Sequence, residues 1–259
     1  MPFVELSRRQ VMQRLAATAP LAAILADPEL ASAAASALED VSLQTAGGTR
    51  VHASLALPAK TPAPAVLLIH EWWGLNDQIK AVAAEYAREG FIALAADLYG
   101  GKVAATREEA ERQRSAVVPN VGIDTLISWV GWLKTYPKGT GKVATIGWCF
   151  GGGWALDAAI ATPVGATIIY YGRVDQPADR LTRLNGPVLG HFATRDGWIS
   201  RPMVEGFERA MAQAGKPLTV YWYEADHAFA NPTGGRYDAE DAALAWDRTL
   251  AFLRQHLPS

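Results

Sequence analysis

Along this chain, apolar residues come in short continuous runs, separated by longer stretches in which they recur every three or four positions. Residues 65–70 are almost wholly apolar up to His70 and lie between proline-rich and polar flanks, the pattern of a strand covered on both faces. Similar runs at 91–96, 142–147, 166–171, 187–193 and 218–223 predict further strands, and the alternation over 50–57 predicts an edge strand. Helical patterns fill the intervals. Asn76 caps 77–88 and Gly90 stops it; 107–116 is polar and helical, while 123–136, 152–161 and 203–214 complete the set. A last helix over 239–256 carries Leu244, Trp246, Leu250 and Leu253 at helical spacing and is expected to close one face of the sheet. Strands separated by helices specify an α/β fold with a doubly wound, mostly parallel sheet.

The N-terminus has a different character. Ser7-Arg8-Arg9-Gln10-Val11-Met12 precedes a weakly apolar segment from Leu15 to Ala26, and the small-residue stretch 31–37 offers cleavage sites. This layout resembles a bacterial twin-arginine export leader. The expected division is a leader over 1–37 and one domain over 38–259, with a periplasmic or secreted product. The alternative is a helical arm on a cytoplasmic protein. Pro20 and Pro28 weigh against one long helix, and the apolar run is too short for a spanning anchor.

Composition narrows the functional classes. The 24 Lys and Arg against 26 Asp and Glu give a net charge of −2, and the basic residues are dispersed, unlike a nucleic-acid footprint. The single cysteine excludes an internal disulfide, and the five histidines lack paired-ligand spacing, so neither a metal nor a cofactor is expected. No strand leads into the paired-glycine fingerprint of a nicotinamide site. A monomer is the default.

That cysteine stands where chemistry is expected. Gly147-Trp148-Cys149-Phe150-Gly151 follows a strand and opens a helix, the layout of a nucleophile elbow. Small residues permit the tight turn, and the helix N-terminus favours negative charge on a thiolate or a nearby oxyanion. In such sheets the reacting groups gather beyond the C-terminal strand ends. Glu71, Cys149, Asp196 and His227 all fall there. The order nucleophile, acid, histidine is that of α/β hydrolases, with Asp226 an adjacent competitor for the acid. Glu71 raises the thiol pKa when both groups are charged, yet it can accept the thiol proton when substrate rearranges the pair. The backbone N–H groups of Trp72 and Phe150 are the candidate oxyanion hole. Trp73, Tyr99 and Trp198 are candidate lining residues, with Tyr170 also at a strand end, whereas Trp129, Trp132 and Trp246 are expected to pack helices.

Taken together, His70-Glu71-Trp72-Trp73-Gly74-Leu75-Asn76, Asp97-Leu98-Tyr99, the elbow, Tyr170-Tyr171-Gly172, Asp196 and His227-Ala228-Phe229 closely resemble the dienelactone hydrolase family, carboxymethylenebutenolidase-like members of the α/β-hydrolase fold. The resemblance implies a Cys149, Asp196, His227 triad, Glu71 as the residue that helps generate the thiolate, and opening of a small ester or lactone through an acyl-cysteine. One departure stands out. The two arginines that hold the substrate carboxylate in dienelactone-cleaving members are matched here by Gly101 and Asn231. Lys102 and Arg236 lie nearby in sequence, although lysine does not reproduce a bidentate guanidinium. Two other readings use the same features: an acyltransferase in which an alcohol or amine replaces water, and an exported ligand-binding protein with an unreactive Cys149.

Overall fold

In the computed structural model, which describes residues 20–258 together with Ser7, Met12 and Leu15, the apolar runs occupy the centre of one eight-stranded sheet. Its strands are β1 (Glu39–Gln44), β2 (Arg50–Ala56), β3 (Ala63–Ile69), β4 (Ile92–Ala96), β5 (Gly139–Trp148), β6 (Ala166–Tyr170), β7 (Val188–Ala193) and β8 (Leu218–Tyr223), in the order β1-β2-β4-β3-β5-β6-β7-β8. The pairs from β4 to β8 are parallel, while β2 runs antiparallel to both β4 and β1. The 50–57 segment is therefore an interior strand, and the edge belongs to β1. That strand is largely exposed and rich in polar residues, so its pairing with β2, more than any apolar period, holds it.

Every residue of β3 and β4 is buried, because helices cover both faces. One face of β3, with Val66 and Leu68, packs under α1 (Leu21–Ala26), α2 (Pro28–Ala35), α3 (Asp77–Arg88) and α9 (Ala239–His256). The other, with Ala65, Leu67 and Ile69, faces α5 (Pro119–Thr135), α6 (Phe150–Ala161), α7 (Ala178–Leu181) and α8 (Arg201–Gln213). The polar α4 (Arg107–Ala116) buries only Ala110. In α9 the inward face is Ala245, Thr249, Leu250 and Leu253, and Leu244 is exposed rather than core. Nine helical residues at about 100° each put Leu244 on the side opposite Leu253.

The Arg8-Arg9 pair of the expected leader lies outside the described residues. Its C-terminal part forms α1 and α2, broken where the Asp27 carboxylate caps α2 and Pro28 starts it. Ile24 and Leu25 are buried in the same core as α3. Among the described residues, no single helix is long and apolar enough to cross a membrane.

Register assembles the site. Ile69 pairs with Gly147, Trp148 with Tyr170, and Ala193 with Tyr223, so the segments beyond β3, β5, β6, β7 and β8 converge at one edge.

Candidate active site

Two glycines make the elbow possible. A Cβ on Gly147 would stand 1.9 Å from the Gly151 carbonyl oxygen, and one on Gly151 would stand 2.1 Å from that of Ile69, so strand and helix touch backbone to backbone. Between them Cys149 takes the left-handed φ of 52° as N-cap of α6, its N–H donating to the Tyr170 carbonyl at 2.9 Å. The backbone N–H of Phe150 at the start of α6 favours a charged thiolate. Burial nevertheless pushes the Cys149 pKa up to about 12, seconded by the charge of Glu71. The expected helix-end stabilisation of a thiolate is thus overridden, and the resting group is a neutral thiol.

Asp196 and His227 form a closed pair. Nδ1 of His227 donates to Asp196 Oδ2 at 2.6 Å, which leaves the Nε2 lone pair to accept a proton. The other Asp196 oxygen accepts from the Trp198 and Ile199 amides at 2.8 and 3.0 Å. Burial is the largest single influence on Asp196 and acts upward, but the His227 hydrogen bond and charge together with the two amides hold its carboxyl below the usual range. Asp226 is no competitor: it points to Arg195 at 3.5 Å on the surface. Among the described residues the Cys149 thiol makes no hydrogen bond to His227 in this conformation.

Glu71 lies buried beside the thiol. Its Oε2 accepts from Asn231 Nδ2 at 2.7 Å and its Oε1 from the Tyr171 hydroxyl at 3.2 Å. Burial raises its pKa against the opposing effects of Asn231, His227 and Tyr171. The preceding His70 is buried and neutral: Nδ1–H donates to the Glu71 carbonyl at 2.6 Å, and Nε2 accepts from the Leu98 N–H at 3.2 Å. This fixes the Glu71 carbonyl, and the His70 ring stacks 5.9 Å from Phe150 at the elbow.

The candidate lining residues divide. Tyr99 packs edge-on to His70 at 4.7 Å and against Phe150 at 5.6 Å, with its hydroxyl buried and unpartnered. Trp198, 62% exposed, packs edge to face with the His227 ring at 5.0 Å between ring centres, and the Arg236 guanidinium lies 4.9 Å above Trp198. Trp73 is partly buried on the neighbouring loop, against Trp72 at 5.1 Å. Lys102 is exposed at the rim, its backbone packed on Gly74.

Tyr170 does not belong to the site. Its hydroxyl bonds Thr249 Oγ1 at 2.6 Å and the Ala245 carbonyl at 3.1 Å, inside the core under α9. The next residue, Tyr171, takes φ 38° and reaches Glu71 instead. Trp129 is fully buried and Trp246 packs at a tilt against Tyr86 at 4.5 Å, as helix-packing residues should.

Residues without an assigned role in the sequence also contribute. Gly101, in place of an arginine, has φ 85° and donates its N–H to Asp97, so a side chain there would be strained. Arg114 of α4 lies within electrostatic reach of Cys149 and Tyr99, while bound in bidentate fashion to Glu111 at 2.7 and 3.1 Å. A groove of about 740 Å³ opens farther out, between α1–α2 and the loops after β3 and β4, and does not include Cys149. No group of His, Cys, Asp and Glu among the described residues is arranged to hold a metal ion.

This arrangement has relatives. The family model described as "Dienelactone hydrolase family" matches residues 51–257. The carboxymethylenebutenolidase of Pseudomonas putida is 30% identical over 230 residues, 83% of this chain and 95% of its own. A Klebsiella pneumoniae protein assigned as a dienelactone hydrolase superposes with a TM-score of 0.75 at 25% identity, over 84% of this chain and 99% of its own. A dienelactone hydrolase-like promiscuous phosphotriesterase from metagenomic libraries shares the fold, with a TM-score of 0.76 at 24% identity over 85% and 99% of the two chains.

Proposed function

The chain belongs to the dienelactone hydrolase family, and from that premise we propose that it cleaves its substrate through an acyl-cysteine intermediate on Cys149. Membership makes it a lactone and ester hydrolase. As substrate enters, the Glu71 carboxylate takes the Cys149 proton, and the thiolate adds to the carbonyl carbon. The Phe150 and Trp72 amides hold the oxyanion. The acyl C–O bond then breaks, and the leaving oxygen takes up the proton from Glu71. Water next gives a proton to His227 and attacks the acyl-cysteine, and the released thiolate recovers that proton from His227.

The observation that carries this reading is where strain sits. Among the described residues, the non-glycine positions with left-handed φ are Cys149 (52°), Tyr171 (38°) and Ala228 (67°), and all of them border one group of thiol, carboxyl and imidazole. Such conformations cost about 1–3 kcal/mol each and persist where function holds them. The neutral resting thiol explains why Glu71 is needed: at a pKa of about 12, very little thiolate forms unaided at neutral pH.

The test compares wild type with Cys149→Ala on a neutral aryl ester and a carboxylated dienelactone, with mass spectrometry of acid-quenched enzyme. Turnover is expected to fall by at least about 10³-fold, and an acyl adduct to map to Cys149. Unchanged turnover in C149A ends the acyl-cysteine reading.

A further inference from the structure

Glu71 is held by groups that carry no charge. Asn231 is 4% exposed, and its Oδ1 accepts from both the Thr233 N–H at 3.0 Å and the Thr233 hydroxyl at 2.7 Å. Those two donors settle which end of the amide is oxygen, so the NH₂ faces Glu71 Oε2. On the other side, Tyr171 is fully buried, with its ring edge-on to His227 at 5.2 Å and Phe229 at 5.4 Å. Strained backbone at Tyr171 and at Ala228 delivers both donors to one carboxyl group.

We propose that Asn231, with Tyr171, is a positioning residue that clamps Glu71 through neutral donors, readying it to take the Cys149 proton without an anionic substrate and so tuning the site to uncharged esters and lactones. The inference rests on the proton-acceptor role of Glu71 given above. A guanidinium at this position would ion-pair with Glu71 and pin it as carboxylate, and a substrate anion would have to compete for that cation. The amide makes no such demand. Two nearby arginines already have partners, Arg114 with Glu111 and Arg236 with the Trp198 ring.

The clamp also suits a group that must exist in two protonation states. A phenol hydroxyl donates to a carboxylate and accepts from a carboxylic acid, whereas a guanidinium only donates. When the thiol proton reaches Glu71 Oε1, Tyr171 can reverse its hydrogen bond while Asn231 keeps its own to Oε2. The titratable groups facing Glu71 are Cys149 at the elbow, His227 after β8 and Tyr171 after β6; beyond them Asp196 and Arg114 act on the thiol. Because Asn231 favours the charged form of Glu71, deleting it raises the Glu71 pKa further, and arginine lowers it.

The experiment measures kcat and KM against pH, on a neutral aryl ester and a carboxylated dienelactone, for wild type, N231A, N231R, T233V and C149A, with melting curves for each. N231A is expected to lose about tenfold or more in kcat at neutral pH with little change in KM, its acid limb moving to higher pH. N231R moves the acid limb to lower pH and shifts preference toward the carboxylated lactone. T233V leaves Asn231 in place but frees its amide, and gives a smaller change of the same kind as N231A, so the inference stands testable should N231A not fold. Profiles of folded N231A, N231R and T233V that superimpose on wild type, with C149A inactive, overturn the clamp and leave the acyl-cysteine reading intact. Full activity in C149A overturns both.

Discussion

Asp196 and Glu71 are carboxyl groups buried at the same edge of the sheet, both acting on Cys149, yet their surroundings push them in opposite directions. Asp196 gathers an imidazole and two backbone amides, enough donors to outweigh burial and keep it ionised. Glu71 receives one side-chain amide and one phenol, too little to outweigh burial. Environments that separate the pKa values of two like groups divide the labour between them. In the mechanism proposed above, Asp196 is the fixed charge that orients His227, and Glu71 is the group that gains and loses a proton.

The division breaks most completely at Asp196. Asp196→Asn keeps the shape but gives His227 a partner that cannot stabilise the imidazolium, and it can invert the tautomer. We expect kcat to fall by about 10³–10⁴, as for other triads that lose their carboxylate. Steady-state turnover of an aryl ester checks this, and a drop below about tenfold would mean that Asp196 serves mainly as a loop cap.

Glu71→Gln sharpens the contrast because it separates rate from acidity. Losing the proton acceptor should lower kcat by about 10²–10⁴ at neutral pH. The same change removes the nearest negative charge from Cys149, so the thiol should ionise at lower pH than in wild type. Iodoacetamide alkylation followed against pH reads this directly, and slower alkylation of E71Q at every pH would contradict it. Stability gives a second opposition. The folded pKa of Glu71 is raised, so its contribution is present below the unfolded carboxyl value and is lost as pH rises through the folded one. The folded pKa of Asp196 is lowered, so its contribution is present above the unfolded value and is lost as pH falls through the folded one. At neutral pH, E71Q should therefore melt above wild type and D196N below it, with both gaps narrowing on acidification.

Much of this was legible in the residues. Gly147 and Gly151 announce the elbow because no other side chain fits the backbone contacts found there, and the continuous apolar run of β3 announces a strand covered on both faces. The placement of the candidates Cys149, Asp196 and His227 after β5, β7 and β8 could also be read from the sequence, and the structure pairs Asp196 with His227. What stayed hidden depends on contacts distant in sequence. The β1 strand is too polar to show a period and forms because β2 offers it a ladder. The 50–57 strand looks like an edge only until β1 is known. Asn231 reads as a missing arginine, since nothing local tells that its amide reaches Glu71, 160 residues away. Tyr170 and Tyr171 part at the end of β6: Tyr170, the last strand residue, bonds Thr249 under α9, and Tyr171, at φ 38°, reaches Glu71.

That last distinction carries the mildest prediction. Tyr170 links by its hydroxyl to Thr249, and Thr249 to His191 Nε2 at 3.0 Å. His191 Nδ1 meets the Tyr223 hydroxyl at 2.7 Å, and burial lowers the His191 pKa to about 3, so this second histidine is a neutral structural link between the sheet and α9. Tyr170→Phe removes one hydroxyl from that chain and nothing from the thiol, carboxyl and imidazole group. Losing that hydroxyl's two buried hydrogen bonds, about 1 kcal/mol each, should lower Tm by about 4–8 °C in a domain of this size. Turnover of either substrate should stay within about twofold of wild type, because the ring still fills its place beside Trp148 at 5.5 Å. A large loss of kcat in a folded Y170F would return Tyr170 to the pocket and show that the backbone turn at Tyr171 does not separate the two tyrosines.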